Sequence, residues 1–249
     1  MPETSGFILY EGPSNITGQP IIVVVTTTSA NIKTGDMLQC WILDASEHPI
    51  DAIRSGADKN VCGDCPLRSS VCYVELGKAP AGVFRKYKRG GYPSLTAAQI
   101  RRRCAGRSAR FGAYGDPAAA PLSIWMPIVH ACGGRWTAYT HQWRRAPEFK
   151  SICMASVDNL EELEAAQRLG WRTFRVRAED EAPHESECQC PAAAESGHVD
   201  DVQCIDCLLC DGTNLGQHSH AVRSVSLTVH GRGSKAFRNM QAEGSPAIL

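Results

Sequence analysis

The chain has 249 residues, with 26 Lys and Arg against 26 Asp and Glu, so it carries no net charge at neutral pH. That length suits one large domain, or one α/β domain with a small appendage, and it can bury a sizeable core without covalent staples. The zero balance excludes a global pull toward nucleic acid or an anionic membrane, and the longest apolar run, residues 21–25, is far too short to span a bilayer.

In chain order, residues 1–10 are polar and show no basic segment leading an apolar core, so no secretory signal is expected. The twelve cysteines then belong in a reducing, cytoplasmic compartment. There, clustered thiols read as metal ligands or redox groups rather than as a disulfide framework. Residues 20–29 and 36–43 read as strands around a turn at 31–35. Residues 60–94, rich in Cys, Gly and Pro, read as a long functional loop with a short helix inside. Residues 96–105 read as a helix capped by Ser94 or Thr96.

Between Arg85 and Arg110 the chain carries nine basic residues and no acid (Arg85, Lys86, Lys88, Arg89, Arg101, Arg102, Arg103, Arg107, Arg110). Such a run is most simply a solvated helix face. The sharper alternative is a contact for nucleic acid, a protein partner or another anion. Residues 158–164 and 179–187 are acidic.

A strand–helix rhythm follows. Strands are expected at 110–114, 135–140, 151–156 and 171–177. A helix at 118–131, broken or kinked at Pro121 and Pro127, ends at Gly133 and Gly134. A short helix or turn covers 142–148. Asp158 and Glu161 have the spacing of a capping box opening a helix over 159–169, with Leu160, Leu163 and Leu169 on or near one face and Gly170 as its stop. Periodicity fades over 178–220. Residues 224–230 read as a last strand, and 240–249 as a loose tail. The repetition predicts parallel βα units and an α/β fold of the partial βα barrel kind. It divides the chain into a βα core over 1–177, carrying the first cysteine loop, and a cysteine-rich segment over 178–249.

Two cysteine groups carry the chemistry. The first is Cys62, Cys65 and Cys72, three thiols within eleven residues, with Gly63 and Pro66 to bend the chain. A C-x2-C turn brings two sulfurs to one metal and the third arrives after a short loop. The second is Cys204, Cys207 and Cys210, preceded by Cys188 and Cys190. The C-x2-C-x2-C spacing is that of a ferredoxin-type cubane, and Cys190, ahead of Cys188, is expected to supply the fourth ligand. A zinc ribbon uses two separated C-x2-C pairs, so the triple favours iron over zinc. His198, His218 and His220 lie close enough in sequence to be alternative ligands. Cys40, Cys104, Cys132 and Cys153 read as buried small side chains at lone positions.

In a βα architecture, chemistry gathers at the C-terminal ends of the strands. There His141 is the candidate for proton chemistry or cofactor contact, and Asp116 the candidate acid. Asp116 and Asp158 also read as helix caps. A pocket is expected between the first cysteine group, Tyr114, Asp116, Tyr139 and His141.

The order Cys72-Tyr73, Tyr114-Gly115-Asp116-Pro117, Tyr139-Thr140-His141-Gln142-Trp143, Ala155-Ser156-Val157-Asp158, and then the cysteine triple resembles a group of phage and prophage proteins that look like radical-SAM enzymes. The first group is spaced C-x2-C-x6-C here, where the radical-SAM pattern is C-x3-C-x2-C. The resemblance implies a partial βα barrel with one or two [4Fe–4S] clusters, in a bacterial host cell or phage-associated. Cys62, Cys65 and Cys72 would carry one cluster and leave an iron open to S-adenosylmethionine. It leaves two functions standing: a one-electron, SAM-dependent enzyme on an unknown substrate, or a phage accessory, virion or nucleic-acid-binding protein whose iron–sulfur or zinc centres only stabilise it.

Overall fold

A computed structural model describes residues 4–68, 71–193, 202–213, 215–216, 223–229 and 234–242. His198, His218, His220 and the tail beyond residue 242 lie outside the described residues.

The frame is a nine-stranded, mostly parallel sheet. Strands β1 (Gly6–Pro13), β2 (Pro20–Thr26) and β3 (Leu38–Asp44) form an antiparallel meander. From β3 onward every pairing is parallel. β4 (Ala109–Tyr114), β5 (Trp136–Thr140), β6 (Met154–Val157) and β7 (Thr173–Arg177) follow one another in chain order. β9 (Ser224–Thr228) then pairs β7, and β8 (Glu187–Gln189) takes the edge. The two edge strands do not meet, so the sheet is open. The chain beyond residue 177 thus adds two strands to the same sheet.

The buried run Ile21, Ile22, Val23, Val24 and Val25 explains why β2 sits inside: all five side chains are fully buried. At roughly 1.5–3 kcal/mol per buried aliphatic side chain, this short strand is a large contributor to the core. Helix α1 (Pro49–Ser55), α2 (Lys59–Cys62) and α3 (Ala79–Lys88) fill the connection from β3 to β4, together with α4 (Ala97–Cys104). Thr96 caps α4 through a reciprocal pair with Gln99. The loop expected over 60–94 therefore contains a full ten-residue helix, whose buried face is Pro80, Ala81, Val83 and Phe84.

After β4 come a 3-10 turn, Pro117–Ala119, and α5 (Leu122–Cys132). Pro127 lies inside α5 and removes one backbone donor. Burial of Trp125, Ile128 and Val129 offsets that loss. The region 142–148 forms a turn and then a 3-10 turn, Pro147–Ser151. α6 (Leu160–Arg168) joins β6 to β7. Its cap is Asn159, whose side chain accepts from the Glu162 amide, one residue later than the capping box Asp158-x-x-Glu161 implies. Only Leu163 and Ala166 of its apolar set are buried; Leu160 and Leu169 are exposed. Several elements had no sequence expectation, among them β1, whose residues alternate weakly, α1, and the three-residue β8. The final helix, α8 (Ser234–Ala242), had no sequence expectation over its first six residues and runs into the stretch from residue 240 expected to be a loose tail.

Candidate metal centres

The first cysteine group sits past the C-terminal ends of the parallel strands. Cys62 closes α2, and the amide of Asp116, just past β4, donates to the Val61 carbonyl at 2.7 Å. This ties the cysteine loop to the strand end. The Cys65 sulfur lies 3.9 Å from His141 Nε2, and the same nitrogen lies 3.5 Å from Asp158 Oδ1. Tyr114 hydrogen-bonds Cys62. Asp116 is spent on local structure: Oδ1 accepts from the Ala118 amide at 2.9 Å and from Thr140 Oγ1 at 2.7 Å, and Oδ2 accepts from the His141 amide at 2.8 Å. It latches the β4 end to the β5 end and positions His141. Asp158 is released from capping and faces His141 instead.

Gly63 makes the C-x2-C turn. Its backbone, at φ 58° and ψ −131°, is in a region that side chains rarely adopt. An added Cβ there would also run into the Gln142 amide, whose Cδ would lie 2.8 Å away. Gln142 is buried, and its Nε2 has no hydrogen-bond partner among the described residues. An unpaired amide donor against a cysteine turn fits an anionic sulfur centre.

The second group surrounds a cavity. Cys190, Cys204, Cys207 and Cys210 all line one cavity, with Thr137, Tyr139, Pro191, Ala192, Leu208, Leu209 and Val225 completing its wall. Cys204 and Cys207 bracket the one-turn helix α7 (Cys204–Cys207). Leu208 follows at φ 50°, the sole non-glycine residue with positive φ among the described residues, and its side chain is buried. That costly conformation turns the chain so that Cys210 rejoins the other thiols. The segment is pinned twice. The Cys210 carbonyl accepts from the Ala138 amide of β5 at 2.8 Å. Arg172 reaches across with Nη1 to Asp211 Oδ1 at 2.8 Å and Nη2 to the Leu209 carbonyl at 2.6 Å. Cys188 is not part of that cavity wall and donates to the Ser224 carbonyl at 3.5 Å, although it packs in the same cluster as Cys190 and Cys210 and raises Cys207.

Tyr139 corrects an expectation. Side chains alternate along β5: Trp136 and Ala138 enter the main core, while Thr137 and Tyr139 face the cavity. Tyr139 hydrogen-bonds Cys210 and packs against Phe174 in a tilted pair, 4.3 Å between ring centroids. It belongs to the second cysteine group, not to a pocket with His141. The strand-end motif Tyr139-Thr140-His141 splits because β5 ends at Thr140: Tyr139 keeps the strand's alternation, while His141 lies past the end, where alternation no longer sets its direction.

The thiols share a chemical signature. Cys72, Cys190 and Cys207 each accept a hydrogen bond from the backbone amide two residues ahead, at Val74, Ala192 and Leu209. Such N–H donors favour the thiolate. Burial works against them and is the larger effect: it raises Cys72, Cys204, Cys207 and Cys210, and pushes Cys190 up to about 11. The neighbouring thiols raise one another further within each group: Cys62 by Cys65 and Cys72, and Cys210 by Cys190, Cys204 and Cys207. Four thiols of the second group, one buried and three partly so, that repel one another as thiolates, with Cys190 and Cys207 met by amide donors, fit a bound cationic centre. Among the described residues no three His, Cys, Asp or Glu side chains are gathered tightly enough to hold a single metal ion, and a metal at either group would require its side chains to draw together.

For His141, burial lowers the proton affinity, but the Cys65 sulfur and the Asp158 carboxylate outweigh it and hold the imidazole well above its ordinary value. Burial raises Asp116.

The remaining sequence candidates disperse. Arg103 bonds the Thr4 carbonyl, and Arg107 pairs Asp36 at 3.2 Å. Arg110 turns inward to the Tyr73 hydroxyl. Arg85, Lys88, Arg89, Arg101 and Arg102 are exposed. Cys40, Cys104, Cys132 and Cys153 are buried as expected. The first three are not lone, however: Cys40 is raised by burial and then by Cys104 and Cys132. Sequence reasoning missed Arg172, the clamp on the second cysteine segment. An arginine opening a strand otherwise bound for the core is the signal that marks it.

Compared with family models, with curated proteins and with solved structures, the chain matches none. Among the described residues no helix is long and apolar enough to cross a membrane.

Proposed function

We propose that the chain is an iron–sulfur protein of radical-SAM-like type with two thiolate-bound centres. The observation that carries this reading is the cavity whose wall contains Cys190, Cys204, Cys207 and Cys210 together. Their triple spacing favours iron over zinc. Cys62, Cys65 and Cys72 hold the other centre, at the strand ends where βα proteins place chemistry. A [4Fe–4S] cluster bound there by three thiolates supplies one-electron reduction and an iron position open to SAM.

The chain's own residues do the rest. Gly63 and Gln142 shape the C-x2-C turn. Tyr114 supports Cys62. Asp116 fixes the His141 backbone and Asp158 orients its ring, so that Nε2 is presented to the Cys65 side of the site. His141 is then the residue that holds or moves a proton beside that centre.

The test is anaerobic reduction followed by addition of SAM. The reading predicts a change in the electron paramagnetic resonance signal of the first centre and slow cleavage of SAM. An unchanged signal and intact SAM would leave a second reading: centres that only stabilise a phage accessory protein, with the exposed basic residues meeting nucleic acid or a protein. What favours that reading for the second centre is its anchoring. The Cys204 amide donates to the Lys33 carbonyl at 2.9 Å and the Ile205 amide to the Thr34 carbonyl at 3.2 Å, so the group locks the β2–β3 turn to the sheet.

A further inference from the structure

Arg110 is the one member of the basic stretch that turns into the space between the two cysteine groups. It lies on β4 between Ala109 and Phe111, both of the main core, so alternation sends its side chain to the opposite face, the face of Tyr139. Its Nη2 donates to the Tyr73 hydroxyl, and its guanidinium lies 5.8 Å from the centre of the Tyr73 ring. Tyr73 follows Cys72 directly and is 68% exposed, so the arginine holds the end of the first cysteine loop. On its other side stand Tyr139 and Cys204 of the second group. Among the described residues no carboxylate lies within ion-pair distance of it. A half-buried cation whose neighbours are two phenols and a thiol lacks the anion that usually accompanies one.

We infer that Arg110 is a positioning residue that serves as the counter-charge of the second centre and links it to the first cysteine loop through Tyr73. The inference rests on the iron–sulfur reading of that centre. A cluster held by four thiolates is anionic, and reduction adds one more negative charge. A fixed cation nearby stabilises the reduced form more than the oxidised one and so raises the reduction potential. Lysine in its place keeps the charge but lacks the planar fork that holds Tyr73. The charge effect and the linking effect are therefore separable.

The test is a redox titration of the anaerobically purified full chain, carried out on the wild type, Arg110→Lys, Arg110→Gln, Tyr73→Phe and Arg110→Gln/Tyr73→Phe. Iron and sulfide are counted in each. With content equal to wild type, the potential of the second centre is expected to fall in Arg110→Gln and to stay near wild type in Arg110→Lys. Tyr73→Phe is expected to have no further effect once Arg110 is glutamine. A potential unchanged in Arg110→Gln overturns the inference and leaves the iron–sulfur reading intact. If Arg110→Gln fails to load the second centre, loading of Arg110→Lys supports the counter-charge, and failure of both overturns it in favour of a purely steric role. A wild type without iron and sulfide overturns both the inference and the reading beneath it.

Discussion

The Cys65 sulfur and His141 Nε2 stand 3.9 Å apart, although 76 positions separate them in the chain. The contact exists because two strand ends meet. The Asp116 carboxylate, just past β4, holds the His141 amide just past β5, and the Asp116 amide holds the Val61 carbonyl beside Cys62. The histidine backbone is thus tied to the cysteine loop through one residue, Asp116, by its buried carboxylate on one side and its amide on the other.

From this follows a separation of roles at the first centre. His141→Ala removes the ring and leaves the Asp116 latch on the backbone in place. Iron content and the visible spectrum should match wild type, while SAM binding or cleavage falls at least tenfold, a loss of about 1.4 kcal/mol in the transition state. Loss of the cluster with the ring would make His141 a structural group instead.

Asp116→Ala should behave differently. It strips an acceptor from three donors at once, on Ala118, Thr140 and His141. Leaving buried donors without a partner costs about 1–3 kcal/mol each before relaxation. Urea denaturation should show a stability loss of a few kcal/mol, with the first centre reduced in occupancy. Unchanged stability would mean that the latch carries no weight.

The four cavity thiols give a sharper contrast. Alanine at Cys190, Cys204, Cys207 or Cys210 should each remove one centre's share of iron. Cys188→Ala should remove none, since Cys188 is not part of the cavity wall and its thiol is committed to the Ser224 carbonyl. Equal loss from Cys188→Ala would show that the fourth ligand had been misassigned.

A fourth expectation concerns pH. Burial lifts Cys104 to about 11 and Cys132 to about 12, and raises Cys40 well above 9.0. A thiol with a raised folded pKa stays protonated in the native chain while the unfolded chain ionises. Its contribution is therefore whole below the unfolded value near 9 and lost as pH climbs toward 11 and 12. Urea midpoints should fall between pH 8 and pH 11, and the fall should flatten in Cys104→Ala/Cys132→Ala. A slope that the substitutions leave unchanged would place the effect elsewhere.

Buried ion pairs supply a fifth. Glu187 grips Arg175 with both oxygens, Nε at 3.0 Å and Nη2 at 2.8 Å, and both side chains are fully buried. Glu187→Ala strands a buried guanidinium and should cost about 3–5 kcal/mol in thermal or urea unfolding. A cost near zero would show that Glu181, the other carboxylate on Arg175, suffices.

The parallel strands β4 to β7 were legible because each is a short strand-like run with Gly, Asp or Asn close to one of its ends: Gly115 and Asp116 after β4, Gly133 and Gly134 before β5, Asp158 after β6 and Gly170 before β7. The cysteine groups were legible from spacing alone. Less of the site was legible. The sequence does not say that Tyr139 and His141 part, since that depends on β5 ending at Thr140, before His141. Nor does it say that Asn159 rather than Asp158 caps α6, because both can accept from the first turn and packing decides between them. Arg110 hid within a run of exposed basic residues. β8 escaped because three residues carry no period.

The most direct measurement is the iron and acid-labile sulfide count of the full chain purified without oxygen. The account predicts iron and sulfide in equal amounts, about four of each per cluster and about eight if both centres fill, with loss of one cluster's share in Cys207→Ala. Zinc without sulfide, or no bound metal at all, would contradict it.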